Sequence, residues 1–281
     1  SMVLNAGDKV ALEEQSFPNV HSIFKGLRAK LIPSKLDSKG INLKGLKGKE
    51  HLKLIHVTPA CQYPTGIQMS RERRMELLEV SKNQNAYIIE NDYEHEINSS
   101  LNPLKPIFSL DDDDRTFYLG TFNRILHPSI RLGFMIVPKH LVTAMAILIR
   151  HSHMFLTPAI QLTLRNFIEN QFFHGHINKL NKTLIKRKEI FGNALKMLKS
   201  PLCTPEFLNI PSLHMLIHIH RDTPDQQIIE RLKKKEIIVH ALSKCAVGSE
   251  KLNGLIIGYA STREQKILPK LNILIQELNK L

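Results

Sequence analysis

Three short stretches combine residue types that can do chemistry. They are VTPACQYPTG (Val57 to Gly66), IIENDYEHE (Ile88 to Glu96) and YLGTFNRILHPSIRLGF (Tyr118 to Phe134). In the third, a small-residue turn ends on Arg124, and Arg131 follows seven residues later. No lysine stands between Lys105 and Lys139, although lysines crowd the rest of the chain. Arginine carries a permanent planar charge that pairs with carboxylates and other anions, and it cannot lose its proton to become an amine nucleophile. Arg124 is expected either to reach for an anion or a carboxylate such as Glu90 or Asp92, or to sit in a water-filled pocket with no ligand. The second stretch places a polar cluster straight after an apolar run, which makes it either a capped loop or a site. In the first, the aromatic-Pro-Thr-Gly sequence is either an ordinary turn or a holder of a cis peptide at Tyr63–Pro64.

Positioning these stretches needs a sheet. Asp8 to Glu14, Arg28 to Leu36, His51 to Pro59, Asn85 to Asp92, Arg115 to Phe122 and Arg131 to Pro138 read as strands. Ser70 is a helix N-cap, and Arg71 to about Asn83 carries apolar residues at Met75, Leu77, Leu78 and Val80. Strands separated by helices define an α/β fold with a mainly parallel sheet, whose ligands sit at the carboxyl ends of its strands. The loops after Pro59, Glu90 and Gly120 fall there. From Lys139 to about Leu198 the pattern is helical, broken at Pro158, with Ile177 to Leu198 as a long connecting helix. Strands follow at Leu213 to His220, Glu236 to Ser243 and Gly254 to Ser261. One helix spans about Asp225 to Lys234 and a last one about Thr262 to Leu281. This is a second, α+β unit, so the expected division is a large domain over 1–175 and a small domain over 176–281.

Composition narrows the class. With 281 residues, 42% hydrophobic and 23% charged, the chain can bury a real core. No apolar run reaches bilayer length and no signal peptide opens the chain, so no membrane partner is expected. Cys61, Cys203 and Cys245 are scattered without a CxxC pair, which suits a reducing cytoplasm and no disulfide frame. The net charge is +13. The basic residues are spread and not interleaved with aromatics, so a nucleic-acid surface is the weaker reading. The acidic run Asp111 to Asp114 lacks the alternating spacing of a calcium loop and reads as a solvated connection. His214, His218 and His220 share a strand face by period two, as zinc ligands would. They lack an accompanying carboxylate pattern, so packing and surface roles are expected for them, for His151 with His153, and for His174 with His176.

Taken together, the three stretches resemble the aminotransferase-like domain of the MocR/GabR branch of GntR-type bacterial regulators. That family's wording is close to TPxxQ(F/Y)P(T/S)G, EDDYDSEF and YLGTFSKxLxPxxRLGY. The counterparts here are TPACQYPTG, ENDYEHEI and YLGTFNRILHPSIRLGF, in the same order and spacing. FIENQFFHGHINKL, SLHMLIHI and LIIGYAS resemble later family segments, so the likeness runs from about Gly7 to the end. It implies a fold-type I pyridoxal-phosphate (PLP) dependent transferase of aminotransferase class I/II. Such a fold has a large domain with a mainly parallel six-stranded sheet of order 3-2-4-5-6-7 in family counting, strand 7 antiparallel and strand 1 missing. A C-terminal α+β small domain completes it, and the family pairs as a head-to-tail homodimer.

The resemblance also implies a set of cofactor residues. The Schiff-base lysine falls on Arg124, the pyridine-nitrogen aspartate on Asn91, and the serine of the GTFSK turn, which helps hold the phosphate, on Asn123. Tyr93 matches the tyrosine on the phenolic oxygen, Arg131 the phosphate arginine, and Phe17 the stacking aromatic ring. Gln62 and Tyr63 match the loop beside the ring. A guanidinium cannot form the usual Schiff base, and asparagine supplies no charge to keep the ring nitrogen protonated. Covalent PLP binding is therefore expected to be lost. The family's first strand, phosphate loop and winged-helix DNA-binding domain would precede Gly7, so DNA binding through a winged helix is not expected of this chain. The reading is a catalytically inactive ligand-sensing or interaction module for a small anionic or amino-acid-like ligand. The alternative is an active aminotransferase using another lysine.

Overall fold

Strand β1 (Lys9–Glu13) lies in the interior of a six-stranded sheet, and its neighbours explain its burial: Val10, Ala11 and Leu12 expose no surface. In a computed structural model that describes residues 2–47, 51–98, 104–152, 156–207, 212–248, 251–260 and 262–281, β1 pairs in parallel with β2 (Lys30–Ser34). A small hairpin, β3 (Leu36–Asp37) and β4 (Gly40–Ile41), follows. Next come β5 (Leu52–Val57), β6 (Tyr87–Asp92), β7 (Thr116–Thr121) and β8 (Gly133–Ile136). The order is β2-β1-β5-β6-β7-β8, with every pair parallel except β7–β8. This is the order and polarity expected from the resemblance.

Helix α1 (Pro18–Gly26) starts on a proline, whose missing N–H costs nothing in a first helical turn. Helix α2 (Arg71–Gln84) is capped as its sequence directs. The Ser70 side chain accepts from the Arg73 N–H, and Asn85 closes the helix at φ 53°. Leu77 and Val80 bury against Ile55, Val57 and Ile88 of the sheet, forming the larger unit's core. A short helix, α3 (His95–Asn98), follows the ENDYE stretch.

After β8 come two helices, α4 (Val142–His151) and α5 (Pro158–Glu169), and neither buries a side chain. Gln171, at φ 63°, separates α5 from the 24-residue α6 (Phe172–Leu195), a break the helical pattern did not signal. The second sheet is antiparallel, with order β11-β12-β10-β9. Its strands are β9 (Cys203–Glu206), β10 (His214–Ile219), β11 (His240–Ala241) and β12 (Gly254–Gly258). Helices α7 (Asp225–Lys233) and α8 (Glu264–Leu278) pack beside it, with Leu184, Leu195, Ile217, Leu232 and Leu271 in the shared core.

Two expectations need correction. Glu236 to Ser243 is not one strand. Glu236 ends a turn at φ 57°, only His240–Ala241 pair with β12, and Leu242–Cys245 coil into a 3-10 turn. Strand β9, lacking alternation and holding Pro205, was not anticipated; its edge position tolerates that proline. His153 and Ser261 lie outside the described residues.

Candidate active-site cleft

The turn after β7 brings Arg124 to the mouth of a cleft between the two sheets. At Gly120 the Phe134 ring packs directly over the backbone, its nearest atom 2.3 Å from where a Cβ would stand, so a side chain there would have to turn that ring aside. Asn123 then holds the turn, its Oδ1 accepting the Leu132 N–H at 2.9 Å. That bond spends the asparagine on backbone geometry.

Arg124 does not reach Glu90 or Asp92. Its Nη2 donates to Oε1 of Glu94 at 3.0 Å. Glu94 exposes no surface, while the arginine side chain is 38% exposed. The difference follows from strand geometry. Glu90 and Asp92 share one face of β6 and both are buried there. Glu90 accepts the N–H groups of Ile107 and Phe108 and faces Arg74 at 3.8 Å. Asp92 accepts the Tyr118 hydroxyl at 2.9 Å. Glu94 lies beyond the strand end, where the chain turns back beneath Arg124. The guanidinium also sits 5.0 Å from the Tyr93 ring centre. Burial opposes its charge, but Glu94 and Tyr93 outweigh burial and hold its pKa above the ordinary value. Burial pushes the Glu94 carboxyl up, against the pull of Arg124.

Around this pair stands an aromatic cluster. Phe17 meets Tyr63 edge-on at 5.3 Å, and Tyr63 lies 6.4 Å from Tyr93 and 5.2 Å from His214. The Tyr93 hydroxyl donates to the Cys61 carbonyl at 2.7 Å, so it is committed to the backbone. The Tyr63–Pro64 bond is cis. His214 Nε2 faces the Pro64 carbonyl at 2.9 Å and therefore carries a proton, and its Nδ1 lies 3.2 Å from the Ser212 hydroxyl. Burial drops its pKa to about 4, leaving the ring neutral. Burial pushes the Tyr63 hydroxyl up to about 12. A cavity of about 430 Å³ opens here, lined by Phe17, Tyr63 and Arg124 and, from the second unit, by Leu213, His214, Ile229, Val239, His240, Lys244 and Ile256.

The eight residues singled out in the sequence thus take different places. Phe17, Tyr63 and Arg124 line the cavity, and Tyr93 packs against Arg124 behind it. Gln62 is buried, its amide spent on Glu13, Gln15 and Tyr63. Asn91 is half-buried on β6, on the face opposite Asp92. Arg131 is exposed at φ 52°, outside the cavity lining. Sequence reasoning missed Glu94 and Lys244: the EHE run gave a polar signal for the first, and nothing marked the second. His218 and His220 have local partners. His218 meets Glu206 at 2.6 Å and His220 meets Thr204 at 3.0 Å, so a carboxylate does accompany one of them. No group of three metal-binding side chains occurs among the described residues.

These residues do not fit PLP held in the usual covalent way. The turn offers a guanidinium tied to a buried carboxylate, and Asn123 and Arg131 do not converge on the cavity.

A mainly parallel sheet joined by a long helix to a smaller antiparallel sheet, with a cleft between them, defines the fold of PLP-dependent aminotransferases. The chain belongs to the aminotransferase class I and II family, which matches residues 1–264. Kynurenine aminotransferase of Pyrococcus horikoshii superposes with a TM-score of 0.88 at 24% identity, covering 99% of this chain and 71% of its own. The α-aminoadipate aminotransferase LysN of Thermus thermophilus gives 0.90 at 16%, covering 99% and 73%. Among curated proteins, the uncharacterized HTH-type transcriptional regulator YhdI of Bacillus subtilis is 29% identical over 94% of this chain and 56% of its own length. The probable rhizopine catabolism regulatory protein MocR of Rhizobium meliloti is 26% identical over 92% and 52%. This is an aminotransferase-like domain related to MocR-type regulators, and the chain spans roughly half the length of those relatives.

Proposed function

We propose that this domain is catalytically silent and acts as a ligand-binding or interaction module, the role left when the fold keeps its cleft but not the amine at its turn. The observation that carries the reading is Arg124, which occupies the turn as a charged group paired with Glu94 at 3.0 Å. A guanidinium does not give up its proton to attack an aldehyde. Asn91 supports the same reading, because an amide supplies no charge to a ring nitrogen. The loss of covalent cofactor binding, a cytoplasmic location and pairing with a second copy belong to this proposal.

One observation favours the alternative of an active PLP-dependent enzyme. Lys244 lines the cavity and is exposed, so an amine does stand in the cleft. The two readings separate in one experiment. The native chain is incubated with PLP, reduced with borohydride and measured by intact mass with peptide mapping. The silent reading expects only scattered, substoichiometric labelling of surface lysines. One stoichiometric adduct at Lys244 would overturn it and identify the enzyme.

A further inference from the structure

The cleft is electrically one-sided. Arg124 stands on the wall formed by the larger unit and Lys244 on the wall formed by the smaller one. No carboxylate lines the cavity among the described residues, and Glu94 lies beneath Arg124 with no exposed surface. Lys244 has no ion pair among the described residues, and Arg124 uses only Nη2 on Glu94, which leaves Nε and Nη1 free to donate. Glu94 and the Tyr93 ring fix the guanidinium plane before any ligand arrives. Beside these cations the wall is apolar, aliphatic at Leu213, Val239 and Ile256 and aromatic at Phe17 and Tyr63.

We propose that the cleft binds a small aliphatic carboxylate without an ammonium group, its carboxylate on Arg124 and its hydrocarbon body against Val239 and Ile256. This inference rests on the silent reading of the site. A planar guanidinium with donors to spare matches a carboxylate in geometry as well as charge. An ammonium would enter a cavity whose exposed charges are Arg124 and Lys244, with no exposed anion to receive it. The site therefore discriminates against amino acids by repulsion as much as it attracts plain acids. A volume of about 430 Å³ accommodates a small ligand of this size.

The test uses 4-methylpentanoate and leucine, which share a carbon skeleton and differ by the ammonium group. Calorimetric titration of the full chain, without PLP, is expected to show saturable binding of 4-methylpentanoate and affinity for leucine lower by about tenfold or more. Lys244→Gln, on an exposed side chain that leaves the fold intact, is expected to weaken 4-methylpentanoate about two- to fivefold by removing an attracting charge. Arg124→Gln is expected to abolish binding, with circular dichroism reporting whether that variant folds. Equal affinity for both ligands, no binding of 4-methylpentanoate, or an unchanged affinity in Lys244→Gln overturns the proposal. A PLP adduct in the separate labelling experiment would instead sink the silent reading, so the two failures are told apart.

Discussion

At the scale of single residues, the buried carboxylates decide how the site behaves. Arg124 was legible as an unusual occupant of its turn, but its partner was not, because alternation along β6 speaks only for residues within the strand. Glu94 follows the strand, and nothing in its spacing reveals that it turns beneath the arginine. Gln62 shows the converse: its sequence context suggested ligand contact, yet its amide serves Glu13. Glu13 accepts from the Thr58 N–H and hydroxyl and from Gln62 Nε2, and burial pushes its pKa up to about 7. A raised carboxyl pKa means that the fold favours the proton. The stability Glu13 contributes is present in full below its ordinary 4.5 and is lost as pH rises through about 7. His56 and His214, lowered to about 4 by burial, work in the opposite sense at acid pH. The clean comparison is therefore variant against native. Glu13→Gln is expected to gain about 1–3 kcal/mol on the native chain between pH 5 and pH 8. Urea denaturation at the two pH values measures it, and a constant difference would show that Glu13 does not titrate in the fold.

At the scale of elements, local chemistry was readable wherever a cap or a continuous apolar run set the boundary. Ser70 and the apolar face of α2 did so, whereas the closing role of Asn85 was not read, and Ser70→Ala is expected to cost about 1 kcal/mol in urea denaturation through loss of its bond from the Arg73 N–H. The β11 region was misjudged because Ile237, Ile238 and Val239 have strand-forming side chains, while tertiary packing ends the pairing after two residues. Gly254 gave no sequence signal, yet a Cβ there would lie 2.5 Å from the Ile217 carbonyl oxygen in the β10–β12 pair. Since backbone must move to admit it, Gly254→Ala is expected to destabilise by about 1–3 kcal/mol. An unchanged denaturation midpoint would contradict that packing.

At the scale of the whole molecule, the strand order was legible through the resemblance, since periodicity alone marks strands without ordering them. What covers the outer face was not. Phe134, Met135 and Ile136 on β8 are exposed, as are Ile147 and Leu148 on α4. The +13 charge is distributed over both units, so any retention of duplex DNA in a gel shift is expected to vanish near 0.15 M salt. A discrete complex surviving there would reveal a built nucleic-acid surface. The central claim, that the cleft lacks cofactor chemistry because of the residue at its turn, is tested most directly by absorbance titration with PLP. The native chain would be run beside Arg124→Lys and the double variant Arg124→Lys, Asn91→Asp. The expected result is no saturable new band for the native chain, and a saturable, borohydride-sensitive band in the double variant. A saturable band in the native chain, lost when Lys244 is replaced by glutamine, would contradict the claim.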